Sequence, residues 1–169
     1  MKAVVITLIG NDRPGIVENI SRIIVEFGGE WIESRMANLC GKFTGLLRAN
    51  LPDGQCEAFT EALKSRVNDL TISIEQVESL QTISDEPSYR LELLGQDQAG
   101  IVHRITAALA ENGATVDDME TEVIDASMSG EKLFKASIIL RLAPGNEVDH
   151  LRDVLEQLAN ELIVDIELG

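Results

Sequence analysis

Two observations predict an α+β protein built of two ferredoxin-like βαββαβ domains, each an antiparallel sheet with two helices on one face. First, the chain contains one segment twice. Ile6-Thr-Leu-Ile-Gly10-Asn-Asp12-Arg-Pro-Gly15-Ile16-Val17-Glu-Asn-Ile20 returns without a gap, 85 residues later, as Leu91-Glu-Leu-Leu-Gly95-Gln-Asp97-Gln-Ala-Gly100-Ile101-Val102-His-Arg-Ile105. Further identities at Glu26/Glu111 and Gly28/Gly113 carry the match to the end of the next element. A period that long is a small domain, since solenoid units run about 20–50 residues. Second, the hydrophobic period in each copy switches between strand and helix in the order β-α-β-β-α-β. The expected domains are 1–80 and 89–169, with Gln81-Thr-Ile-Ser-Asp-Glu-Pro-Ser88 as the linker.

Ala3 to Ile9 is almost wholly apolar and β-branched, as in a strand inside a sheet. Pro14 suits the first turn of a helix, where its missing N–H is no loss. Ile16, Val17, Ile20, Ile23, Ile24 and Phe27 follow on one helical face, and Gly28-Gly29 ends the helix. Strands over about 30–39 and 43–51 turn at Gly41-Lys42, and Pro52-Asp53-Gly54 makes the exit turn. Phe59, Leu63, Val67 and Leu70 mark a second helix, and about 71–78 the fourth strand.

The second copy follows the same order. Ile101, Val102, Ile105, Ala108 and Leu109 line its first helix, which Gly113 ends. Phe134, Ala136, Ile138, Leu140 and Leu142 alternate with Lys135, Ser137, Ile139 and Arg141, the period of a half-buried strand. Val148, Leu151, Val154, Leu155, Leu158 and Leu162 give the last helical stripe.

Composition narrows the function. No apolar run reaches the roughly 20 residues of a membrane helix, and Met1-Lys-Ala-Val-Val-Ile runs into Asn11-Asp12-Arg13 without a cleavage site. Cys40 and Cys56 form no CxxC and have no counterparts in the second copy, so a cytoplasmic protein without disulfides is expected. Residues 1–80 hold 8 Lys/Arg against 11 Asp/Glu, and residues 81–169 hold 6 against 18. The halves thus carry −3 and −12, and the second would repel DNA or RNA phosphates.

The best-kept segment is a polar loop that opens a helix. The first-turn N–H groups of that helix lack intrahelical partners and, with the helix dipole, form a seat for a carboxylate. Asn11 adds an amide, Asp12 a carboxylate that could meet an ammonium group, and Gly15 leaves room for a close approach. A carboxylate seat beside an ammonium seat is what an amino acid requires. The alternative is structural: Asp12 caps the helix, and Gly15 lets it pack on the sheet.

On this frame, Asn11-Asp-Arg-Pro-Gly-Ile-Val17 resembles the ACT domain, a regulatory module that binds small ligands, commonly amino acids. Two such repeats resemble the glycine cleavage system transcriptional repressor family, with Glu33-Ser-Arg-Met-Ala-Asn-Leu-Cys-Gly-Lys-Phe-Thr44 similar to that family's second and third strands. The resemblance implies ligand binding at Asn11, Asp12, Arg13, Pro14, Gly15 and Ile16. In the second copy it implies Gln96, Asp97, Gln98, Ala99, Gly100 and Ile101. There Gln98-Ala99 replaces Arg-Pro, which removes a positive charge and the pre-set helix start. The resemblance also implies a non-catalytic repressor that binds a small amino acid, glycine first. It would act on a protein partner, a DNA-binding activator of glycine cleavage genes. A homodimer is expected, with no cofactor or metal and no direct contact with nucleic acid or membrane. The alternatives are a structural adaptor, or a regulatory subunit of an amino-acid metabolic enzyme, without a ligand of its own. The chain ends at Gly169, directly after the expected eighth strand, so no catalytic domain is expected.

Other polar residues invite functional readings. Arg35 reads as a sheet-surface residue paired with a carboxylate or contacting ligand. Asp117, Asp118, Glu120, Glu122 and Asp125 lack the turn of a calcium loop and read as a solvated, charge-protected strand. His103 and His150 have no nucleophile at a recognisable spacing, and Cys40 reads as an inert thiol. An RNA recognition motif shares the element order, but Phe43 and Phe134 stand alone where stacking aromatics would be needed.

Overall fold

The computed structural model describes residues 1–77, 86–126 and 130–169. The chain divides into two compact units, Met1–Thr82 and Ile83–Gly169. The first runs β1 (Lys2–Asn11), α1 (Ile16–Glu26), β2 (Glu30–Leu39), β3 (Lys42–Leu51), α2 (Cys56–Arg66) and β4 (Leu70–Val77). The second runs β5 (Ser88–Gln96), α3 (Ile101–Glu111), β6 (Ala114–Asp125), β7 (Lys132–Leu142), α4 (Val148–Leu162) and β8 (Val164–Leu168). Their sheets are ordered β2-β3-β1-β4 and β6-β7-β5-β8, with every neighbouring pair antiparallel. This is the βαββαβ ferredoxin-like plan, twice. Of the expected linker, residues 81–85 lie outside the described residues, as does Glu78 at the end of the fourth strand; Ser88 already opens β5.

In each unit the two helices cover one face of the sheet. Val4, Ile6 and Leu8 of β1 meet Leu47, Ala49 and Leu51 of β3 beneath Ile16, Ile20, Ile23 and Ile24 of α1. Phe27 and Phe59 close the helix pair edge to face, their centroids 5.8 Å apart. In the second unit Leu91 and Leu93, with Phe134, Ala136, Ile138 and Leu140, pack under Ile101, Ile105, Leu109, Leu151 and Leu155. The alternation expected of β7 is present along the strand. Among the described residues, no helix of the same unit lies on the other face of each sheet. That is why Ile9, in a strand apolar enough to be buried on both sides, is half exposed.

Three local expectations are corrected. Pro14 does not lie in the first turn of α1: the helix begins at Ile16, and Pro14-Gly15 is the turn before it. Val17 and Val102 do not join the buried stripes but stand 42% and 39% exposed. One residue advances a helix by about 100°, which swings them off the faces set by Ile16 and Ile101. Leu70 belongs to β4 rather than to the second helix, which stops at Arg66; Val67-Asn-Asp then turns the chain. Its spacing fits a helical stripe because it fills the same core from the sheet.

Both outer strands opposite β4 and β8 carry a bulge at matching places, Trp31/Glu33 in β2 and Val116/Asp118 in β6. Past the second bulge Asp118, Glu120 and Glu122 face outward together opposite Ile139, Ser137 and Lys135. Bulges and charges both discourage further strand pairing at an edge.

Candidate ligand-binding site

The loop that follows β1 crosses from the sheet to α1 with Gly15 in the left-handed region, φ 86°, and Gly100 repeats this at φ 82°. An added Cβ on Gly15 would meet nothing nearer than Asn19 Nδ2 at 3.8 Å, and on Gly100 nothing within 4 Å. These glycines are therefore needed for the backbone turn, not for a close approach. Close approach explains Gly10 and Gly95 instead. A Cβ on Gly95 would lie 2.7 Å from Val164 Cα, and one on Gly10 3.0 Å from the Asp69 carbonyl oxygen.

Neither α1 nor α3 has a side-chain cap. Asp12 therefore does not cap α1. Its backbone N–H donates to the Gly41 carbonyl (3.0 Å), and its carboxylate Oδ2 accepts from Asn38 Nδ2 (2.6 Å). Next to it, Lys42 Nζ donates to Asn11 Oδ1 (2.6 Å). The β2–β3 hairpin thus holds the loop from one side. Arg13 holds it from the other, forking onto Asp69 between α2 and β4, with Nη2 to Oδ1 at 2.9 Å and a second bond from Nε. That hydrogen bond keeps the Asp69 carboxyl below its usual range and raises Arg13. Between the two ties lies the start of α1, which no side chain caps, beside an exposed Asp12 and a Val17 that faces solvent.

The second loop is tied at the same points by different groups. Asp97 N–H donates to the Lys132 carbonyl (3.0 Å), and Gln98 Nε2 donates to the Leu162 carbonyl at the end of α4. Gln98 thus replaces the Arg13 ion pair with a neutral bond, and the tether survives. The rim differs more. Asn38 and Lys42 face Phe43 and Asn11 across the sheet; the positions in the same register of the second unit are Val123, facing Phe134, and Leu133, facing Gln96. The second hairpin therefore carries apolar residues where the first places an amide on Asp12 and an ammonium on Asn11.

All twelve expected residues fall on these two loops, six on each. Ile16 and Ile101 are buried helix starts, Arg13 and Gln98 are half-buried tethers, and the other eight are exposed. Reading the loops alone missed Asn38, Gly41, Lys42 and Asp69. Three of these four lie within the Glu33–Thr44 segment that carries the repressor-family resemblance, and that was the available signal. Among the described residues, no group of His, Cys, Asp or Glu is arranged to hold a metal. Among those residues, no helix is long and apolar enough to cross a membrane.

The family follows from this arrangement. The ACT domain model matches residues 2–76 and again 91–169, and the chain belongs to the ACT-domain family. Its members are regulatory domains that bind small ligands, commonly amino acids. Among solved structures, an unknown protein from Galdieria sulphuraria is 28% identical, with a TM-score of 0.89 over 99% of this chain and 97% of that one. A second structure, named as a candidate glycine cleavage system transcriptional repressor, is 20% identical, with a TM-score of 0.74 over 99% and 96%. At that identity the likeness shows the fold alone. No curated protein matches the chain.

Proposed function

We propose that this chain is a non-catalytic cytoplasmic regulator, with domains at 1–80 and 89–169, that senses a small amino acid and controls a protein partner. Glycine is the first ligand to test, and repression of glycine cleavage genes through a DNA-binding activator is the first output. One observation supports the reading: the loop Asn11–Ile16 is held from both sides, and no side chain caps the start of α1 next to it. A ligand carboxylate meets the amides, and its ammonium group meets Asp12. The counterpart Gln96–Ile101 keeps the tethers with a leaner rim, so the first loop is the stronger site.

Magnitudes bound the switch. Small ligands reach at most about −1.5 kcal/mol per heavy atom. Glycine, with about five such atoms, is therefore limited to roughly −7.5 kcal/mol, a micromolar constant. Turning a population from 1:99 to 99:1 takes about 5.5 kcal/mol, so sites shared in a homodimer would switch more readily than one alone.

Calorimetry with glycine, alanine and serine tests this. Saturable heat at micromolar to millimolar ligand is expected, and no heat together with no thermal shift overturns sensing. The second reading is a structural adaptor or enzyme regulatory subunit without a ligand. It is favoured by the internal partners that Asn11, Asp12 and Arg13 already have. Asp12→Ala separates the two: a sensor loses its ligand response while staying folded, whereas an adaptor changes only in stability.

A further inference from the structure

The outward face of the second sheet, which no helix of its unit covers, is poorly neutralised. Arg90, Lys135 and Arg141 stand on it, and each is already paired: with Glu92 (3.4 Å), with Glu122 (3.3 Å), and with Asp117 and Glu86 (2.7 and 3.6 Å). Among the described residues Glu120, Asp165 and Glu167 face outward without a cation. Glu167 is also the direct cross-strand partner of Glu92, a like-charge pairing that destabilises a sheet. Between these charges apolar side chains are exposed: Leu94 is 42% and Ile124 37% exposed, and a depression of about 440 Å³ runs over Leu94 and the stem of Lys135 between Glu92, Asp165 and Glu167.

We propose that this face of the second unit is the docking surface for a basic segment of a protein partner, one that carries lysine or arginine interleaved with leucine-sized side chains. The cations neutralise Glu120, Asp165 and Glu167 and relieve the Glu92–Glu167 repulsion, while the apolar side chains enter the depression. Charge complementarity selects this occupant: a nucleic acid or an anionic membrane meets the wrong sign. The corresponding face of the first unit offers no such field, because Arg35, Lys42 and Arg48 lie on it against Glu30, Glu33 and Glu75, three charges of each sign. The proposal rests on the regulatory reading above, in which a partner is engaged, and adds where and by what chemistry.

The probe is a fluorescein-labelled peptide of alternating lysine and leucine, titrated into the full chain and followed by anisotropy and amide chemical shifts. Saturable binding is expected, with shifts on β5, β6, β7 and β8. The triple variant Glu120→Gln/Asp165→Asn/Glu167→Gln should bind roughly tenfold more weakly. Removing three charges from the helical side with Glu111→Gln/Glu147→Gln/Asp153→Asn should change affinity less than about twofold. Equal loss in both variants, equal binding of a lysine-only peptide, or shifts spread over α3 and α4 would reduce the effect to diffuse attraction and overturn the proposal. So would sedimentation showing that wild type dimerises and the sheet variant does not, since the occupant would then be a second copy. Glycine calorimetry on the same samples keeps the two claims apart: ligand heat without peptide binding sinks only the docking surface.

Discussion

Gly95→Ala should be among the most damaging single-methyl additions in the second unit, and the structure says by how much. Gly95 is paired with Val164, the first residue of β8. A Cβ there would stand 2.5 Å from Val164 Cβ and 2.7 Å from its Cα, so the backbone of a five-residue strand must move. Overpacking costs about 1–3 kcal/mol, and a clash with backbone belongs at the top of that range. Gly100→Ala is the control: it has nothing within 4 Å but sits at φ 82°, a left-handed conformation that costs about 1–2 kcal/mol with a side chain. For a domain of this size about 1 kcal/mol moves Tm by about 4–8 °C, so the expected drops are about 12–24 °C and 4–16 °C. Urea denaturation followed by far-UV circular dichroism measures both variants. The chain's one tryptophan, Trp31, lies in the first unit, so its fluorescence gives a separate transition if the units unfold independently. A Gly95→Ala protein within 1 kcal/mol of wild type, using the range above, would refute the reasoning. So would full rescue by Val164→Ala, which removes the side chain but leaves the Cα in place.

Further predictions concern the loops. Arg13→Gln should retain more stability than Arg13→Ala in thermal unfolding, because the second unit already uses Gln98 as its tether. Asp69 is held below its usual value by Arg13, so the folded chain binds fewer protons there than the unfolded one. Its contribution is complete above the unfolded value near 4 and is lost as pH falls through the folded one; the deficit of Asp69→Asn against wild type should therefore shrink on acidification, in stability measured from pH 7 to 2. Cys40, a non-glycine residue at φ 51° in the Cys40-Gly41 hairpin turn, should accept asparagine with a rise in the urea midpoint, asparagine being favoured there. The graft Val123→Asn/Leu133→Lys gives the second loop the rim of the first. It should raise the glycine stoichiometry in calorimetry, and unchanged stoichiometry would show that the rim does not limit binding.

Much of this was legible before any coordinates. The helical stripes of α1 and α3, the strict alternation of β7 and the outward set Asp118, Glu120 and Glu122 follow from local periods of 3.6 and 2, which the chain cannot satisfy in another register without burying charge. Where reading failed, the deciding contact was long-range. Asp12 and Pro14 carry the residue types of a helix start, yet the hairpin at Asn38–Lys42 takes the Asp12 groups and the helix begins after Gly15. Leu70 matched the stripe of α2 because a helix and a strand fed the same core from opposite sides.

The sequence by itself determined the duplication, the element order, the family resemblance and the sign of the charge, since each is a property of residue types and their spacing along the chain. Only the tertiary structure decided what the repeated glycines do and which hairpin residues complete each loop. Those depend on which distant residues the sheet register places side by side. It is that register, setting Asn38 and Lys42 beside one loop and Val123 and Leu133 beside the other, that makes two loops of common origin chemically unequal.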